Sequence, residues 1–158
     1  MYKSDGVLQS SDVPLPDEKI LKKGKIAIIE CVENIPCNPC ETSCPQGAIK
    51  IGENICDLPK IDYSKCSGCS LCLAVCPGLA IFALNKYIDE NRSEITIPYE
   101  LNTSLEKGMT VKLVNRSGKI LGNGEISAIR ELKIQKKRKL VSILIPRELI
   151  NEVRHFMV

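Results

Sequence analysis

Short apolar runs separated by polar and proline-marked segments divide the chain into unequal parts. Residues 1–24 contain "DVPLPDE" and "LKKGK" and predict an extended, proline-interrupted arm with no fold of its own. "KIAIIE", from Lys25 to Glu30, is a β-branched run that predicts a strand. Beyond it, "CPQGAIKI" from Cys44 and "CPGLAIFA" from Cys76 share C-P-x-x-A-I at a period of 32 residues. Each half reads as strand, loop, short helix and strand, so residues 25–84 predict a pseudo-twofold α+β unit. "NKYIDENRSE", residues 85–94, reads as a polar linker. From residue 95 to 158 the pattern turns to strands, "ITIPYE", "MTVKLVNRSGKILGNGEISAIRELK" and "KLVSILIP", with a hairpin turn at "NRSG" and a bend or bulge at "GNG". A small all-β barrel or meander is expected there. "PRELINEVRHF" closes it as a helix, with Pro146 in its first turn and Leu149, Ile150 and Val153 at helical spacing.

Composition limits what holds these parts together. Of 158 residues, 44% are hydrophobic and 26% charged, but Trp is absent and aromatics make up only 4%. With few large rings to bury, metal clusters are the expected further source of stability. The net charge of +3 is too small to mark a polyanion partner. "KIQKKRK", Lys133 to Lys139, is a local basic run with no aromatic interleaved, and it reads as a solvated hairpin loop or a contact for an acidic protein rather than for nucleic acid. No stretch approaches the ~20 apolar residues of a membrane span, and the N-terminus lacks the apolar core of a secretory signal, which makes the cytoplasm the expected location.

Nine cysteines are present, eight of them between Cys37 and Cys76, and that clustering favours metal over disulfides. "CSGCSLCLAVCP" places Cys66, Cys69, Cys72 and Cys76 in the C-x2-C-x2-C-x3-C-P spacing of an iron–sulfur run. "CNPCETSCP" repeats its last three cysteines as Cys37, Cys40 and Cys44, with Asn34 where the first should stand. Closely spaced thiolates wrap three corners of a cube and leave the fourth to a distant residue. Structural zinc would also take four thiolates per ion, but it explains neither the third cysteine of the full run nor the repeated x3-C-P. The lone His155 reads as a packed or surface residue.

On these motifs the segment from about 25 to 83 resembles the two-cluster bacterial ferredoxins, in which three cysteines of one run and the fourth of the other bind each [4Fe–4S] cluster. The resemblance implies a ferredoxin-like dicluster domain with two [4Fe–4S] clusters. It assigns Cys66, Cys69, Cys72 and Cys44 to one cluster, and Cys37, Cys40 and Cys76 to the other. For the fourth ligand of the second cluster, Cys31 is assigned because "VENIP" can loop out while its thiol reaches the vacant corner. Cys56 and a three-iron cluster are the alternatives. Pro39 has no N–H to offer a cluster sulfur, so the cluster at Cys37 and Cys40 is expected to have the lower potential.

No phosphate loop, nucleotide fingerprint or nucleophile–base pair is evident, so no catalytic residue is assigned. "ECVENIPCNPCETSCP", followed by "CPGLAIF" and a β tail, resembles the small ferredoxin-like proteins that accompany flavin-dependent amino-acid or amine dehydrogenases. The resemblance implies an electron-transfer subunit in a hetero-oligomer, with a flavoprotein (FAD or FMN) dehydrogenase as partner. A free-standing ferredoxin with a C-terminal extension is the alternative.

Overall fold

The computed structural model describes residues 5–158, apart from the side chains of Gln135 and Lys136. Strand β1 (Ile26–Ile29) pairs antiparallel with β4 (Ile81–Asn85), placing Ala27 opposite Ala83. Between them run helix α2 (Pro39–Thr42), β2 (Ile49–Lys50), β3 (Lys60–Ile61) and helix α3 (Leu71–Val75), with β2 and β3 forming a second, two-stranded sheet. Strand, helix and strand therefore occur twice, and the outer and inner strands of the two halves pair with each other.

The chain then reverses at Lys86–Asn91. The Asp89 carboxylate accepts from the backbone N–H groups of Asn91 and Arg92, and the Ser93 hydroxyl donates to the Lys86 carbonyl. Much of the polar stretch expected as a linker is thus a tight turn, whose side chains satisfy its backbone. It leads into β5 (Arg92–Tyr99), which pairs with β4, and on to β6 (Thr110–Val114), β7 (Ile120–Leu132), β8 (Gln135–Pro146) and β9 (His155–Met157). One seven-stranded sheet results, in the order β1-β4-β5-β8-β7-β6-β9. "NRSG" makes the β6–β7 turn, with Gly118 at φ +79, and the register between these strands shifts beside Gly122.

β1, and β4 up to Leu84, are apolar because both of their faces are covered. Ile26, Ile28, Phe82 and Leu84 face a large core with Ile95, Ile97, Leu113, Ile143 and Phe156. Ala27, Ile81 and Ala83 face the cysteine region, in a second core with Cys40, Ile49, Cys72, Leu73 and Leu140. Small residues on that face keep the strand backbones accessible to whatever the cysteines surround.

Two expectations for the ends change. The C-terminal helix expected over "PRELINEVRHF" is not formed: Arg147–Leu149 makes one 3-10 turn, and His155–Met157 becomes β9 on the free edge of β6. Ile150, Val153 and Phe156 are buried at a spacing of three, which a turn followed by a strand satisfies as well as a helix, and the unpaired edge of β6 decides between them. His155 is half-buried and stacked with Tyr99 and Phe156, at ring distances of 5.9 and 5.4 Å. At the other end, the described part of the arm carries helix α1 (Glu18–Leu21). Leu21 is buried in the larger core, and Glu18 accepts hydrogen bonds from Lys86 and Tyr87. Residues 1–4 lie outside the described part.

Candidate iron–sulfur site

The cysteine loops line two recesses. The first, with an empty volume of about 340 Å3, is lined by Cys44, Cys66, Cys69 and Cys72, against Ala27, Ile49 and Ile61. The second, of about 400 Å3, is lined by Cys31, Cys37, Cys40 and Cys76, against Ile51, Pro59 and Ile81. Each takes three cysteines from one half of the repeat and one from the other. Cys56 lines neither recess.

The vacancy at position 34 has a structural account. The Asn34 side-chain amide donates to the Cys56 carbonyl at 3.0 Å, and the Cys37 N–H donates to the Ile55 carbonyl at 3.3 Å. These bonds tie the loop after β1 to the connection between the halves and leave Cys31 at the recess.

The repeat extends to the backbone. Gly47 and Leu79, 32 residues apart, both adopt left-handed φ values, +57 and +53. The following N–H groups act alike: Ala48 donates to Cys44 Sγ at 3.3 Å, and Ala80 to Cys76 Sγ at 3.4 Å. Ala27 donates to Cys66 Sγ at 3.5 Å from the strand wall. Gly68, at φ +68, lies so close to β1 that an added Cβ would fall 2.3 Å from the Lys25 carbonyl oxygen. The Cys66–Cys69 loop can lie against the strand only with glycine there.

Burial, with like charge from Cys76 and Cys37, pushes the Cys40 thiol up to about 11, and burial with Cys69 and Cys66 pushes Cys72 up to about 12. Cys31 is raised too, chiefly by burial. At Cys44 burial also opposes the thiolate, but the N–H groups of Ala48, Ile49, Gln46 and Gly47 outweigh it and lower the thiol below its ordinary value. Without metal, Cys40 and Cys72 hold their protons at neutral pH, and binding a thiophilic metal releases them.

These residues fit an iron–sulfur cluster. Four thiols converge on each recess from several sides, backbone N–H groups point at sulfur, and the walls are mainly apolar. A single ion needs ligands about 2.3 Å from one point. Among the described residues no group of three or more Cys, His, Asp or Glu gathers in that way.

Residues 59–82 match the family described as 4Fe-4S binding domain. This stretch resembles such a domain. Its match contains Cys66, Cys69, Cys72 and Cys76. Over 60 residues the chain is 45% identical to a subunit of the ion-translocating oxidoreductase complex of Methanosarcina acetivorans, covering 37% of this chain and 22% of that one. Over 54 residues it is 41% identical to the pyruvate synthase subunit PorD of Methanocaldococcus jannaschii, covering 34% and 60%. A longer match, 26% identical over 127 residues, is to the isethionate sulfite-lyase activating enzyme of Desulfovibrio desulfuricans and covers 77% of this chain and 39% of that enzyme. The chain spans between 22% and 60% of the length of these relatives. No solved structure matches it significantly.

Five charged side chains that the cysteine spacing does not reveal support the site. Glu30, next to Cys31, is nearly buried and accepts from Arg116 Nε at 3.2 Å and Arg154 Nε at 2.8 Å, both from the C-terminal half. Arg130 on β7 donates to the Cys69 carbonyl at 2.9 Å. Arg138, inside the basic run, turns inward to the end of α3. The two-residue period of β8 carried the signal, since it puts Arg138 on the same face as Leu140. The exposed part of that run includes Lys133 and Lys137, while the side chains of Gln135 and Lys136 lie outside the described residues.

Proposed function

We propose that this chain is the iron–sulfur electron-transfer subunit of a cytoplasmic, flavin-dependent oxidoreductase complex of the amino-acid or amine dehydrogenase kind. It relays single electrons through two [4Fe–4S] clusters. The observation that carries the relay is the pair of four-cysteine recesses, joined by the buried helix α3 between Cys72 and Cys76. Cys44, Cys66, Cys69 and Cys72 would hold one cluster, and Cys31, Cys37, Cys40 and Cys76 the other. A [4Fe–4S] cluster with four thiolate ligands supplies one-electron transfer and offers no open position to a substrate.

The remaining work falls to the protein. Ile49, Ile51, Ile61 and Ile81 limit water at the recesses, which keeps reorganisation on electron transfer small. Ala27 and Ala48 direct N–H groups at sulfurs of the first recess and Ala80 one at the second, where the N–H groups of Glu33 and Glu41 also act on Cys31 and Cys40. Hydrogen bonds to sulfur favour the reduced state, so the missing donor at Pro39 supports a lower potential at the Cys31 recess. One relative named as a subunit of an oxidoreductase complex and another named as a subunit of pyruvate synthase support assembly with other chains. The flavoprotein partner rests on the resemblance of the cysteine region and β tail.

The test is iron and acid-labile sulfide content, with electron paramagnetic resonance after reduction, on protein purified anaerobically from its own cells. Two four-iron clusters with interacting signals, co-purifying with a flavoprotein, are expected. Four irons per chain would leave a single cluster, zinc without sulfide would overturn the relay, and a loaded monomer with no partner would favour the free-standing ferredoxin.

A further inference from the structure

Arg138 is only 8% exposed, although it belongs to the most basic run of the chain. Its Nη1 donates to the carbonyls of Ala74 at 2.7 Å and Cys76 at 2.8 Å, with a longer contact to Leu73 at 3.4 Å. Its Nε donates to Glu100 Oε1 at 2.8 Å, and Nη2 lies 2.6 Å from the same oxygen. Glu100 stands just after β5, so three distant parts of the chain meet at this guanidinium.

We propose that Arg138 is a positioning residue that fixes the segment between Cys72 and Cys76 and, as a fixed positive charge, raises the reduction potential of the clusters on either side. This inference rests on the two-cluster reading above. The segment matters because Cys72 lines one recess and Cys76 the other. α3 has five residues, and while the Cys72 carbonyl accepts from the Cys76 N–H, the carbonyls of Leu73 and Ala74 have no acceptor role within the helix. Cys72, Leu73 and Ala74 are buried, and those carbonyls face protein rather than water. A buried polar group without a partner is costly, and Arg138 supplies the donors.

The charge is held there by specific partners. Burying a guanidinium is unfavourable unless it is paired and its donors are used. Here Glu100 pairs with one side of the fork and carbonyls take the other. Arginine does not deprotonate at accessible pH, so the charge persists in both redox states. Reduction adds one electron, supplied by an external reductant or donor subunit, and makes the site more negative, which the nearby cation favours. The Glu100 side chain is 48% exposed, so water screens its opposing charge more than that of Arg138.

The full chain, purified anaerobically, is assayed for iron and sulfide and titrated with mediators under electron paramagnetic resonance. Arg138→Met should lower the midpoint potentials, Arg138→Lys should restore them in part, and Glu100→Gln should raise them. Lys133→Met, an exposed cation of the same run, serves as the control and should leave them in place. A scaffold role alone would change iron content without this opposed pair of shifts. Arg138→Met with the potentials of the Lys133→Met control would overturn the proposal. Should Arg138→Met fail to load, Glu100→Gln decides: an upward shift supports the proposal and an unchanged potential overturns it. Wild-type protein without iron and sulfide would instead sink the two-cluster reading.

Discussion

Replacing Gly68 with alanine tests whether the fit of the cysteine loop against β1 builds the first recess. Two costs add. Alanine at φ +68 occupies the left-handed region, at about 1–2 kcal/mol. Its Cβ would also meet the Lys25 carbonyl oxygen at 2.3 Å and carbonyl carbon at 2.8 Å. These are backbone atoms leading into the buried Ile26 and Ala27, so the loop must give way, at roughly a further 1–3 kcal/mol. The loop carries Cys66 and Cys69, and moving it opens the Ala27 N–H to Cys66 Sγ contact. Gly108 is the control, because its φ is +87 but no atom lies within 4 Å of the position an added Cβ would take. Gly108→Ala should therefore show only the conformational cost. Iron and sulfide per chain and chemical denaturation are measured on both variants. Gly68→Ala should lose the cluster of Cys44, Cys66, Cys69 and Cys72 or unfold more readily by about 1–3 kcal/mol than Gly108→Ala, the overpacking cost alone. Equal iron content and equal midpoints would show that the close approach to β1 does not shape the recess.

Two other perturbations address the second recess. Cys31→Ser should lose or convert one cluster while Cys56→Ser leaves both intact, as read by iron content and electron paramagnetic resonance; the opposite pattern would move the fourth ligand to Cys56. Glu30→Gln should destabilise the protein by about 3 kcal/mol, because it leaves Arg116 and Arg154 without a carboxylate in a nearly buried site. Burial alone would raise the Glu30 carboxyl, but the Arg116 hydrogen bonds and the Arg154 charge outweigh it and hold it below its ordinary 4.5. Its stabilisation is therefore complete above that value and is lost as pH falls through the lower, folded one. Thermal midpoints of wild type should fall more steeply than those of Glu30→Gln below pH 4.5, and parallel curves would count against the ion-pair account.

What the sequence showed and what it hid divide along local and long-range lines. "KIAIIE" and "CPGLAIFA" were readable because β-branched runs and a 32-residue repeat are local, and the repeat reaches down to matching φ values at Gly47 and Leu79. The end of the chain was misread because Ile150, Val153 and Phe156 fit two periods, and only the free edge of β6, about forty residues earlier in sequence, makes a strand the better choice. Arg138 was hidden for the same reason. Charge density in "KIQKKRK" points to solvent, whereas its burial depends on α3 and Glu100, which no neighbouring residue foretells. Asn34 is the intermediate case: the sequence exposed a missing cysteine, but the hydrogen bond to Cys56 that occupies the position required the fold.

The two-faced burial of β1 and β4 bears on what the C-terminal strands are for. Ile26, Ile28, Phe82 and Leu84 bury against the strands that follow, while Ala27 and Ala83 on the opposite face back the cysteine region. A chain ending after β4 would expose those four side chains, at about 1.5–3 kcal/mol each, or roughly 6–12 kcal/mol together. The same strands send Arg116 and Arg154 to Glu30, Arg130 to Cys69 and Arg138 to the end of α3. Both recesses are thus braced from outside their own loops, one through the residue beside Cys31 and the other through the carbonyl of Cys69. A β domain added only to dock on a partner would need neither the shared wall nor these four arginine contacts. Their presence argues that the C-terminal half is part of the scaffold that holds the two cysteine recesses in fixed relation.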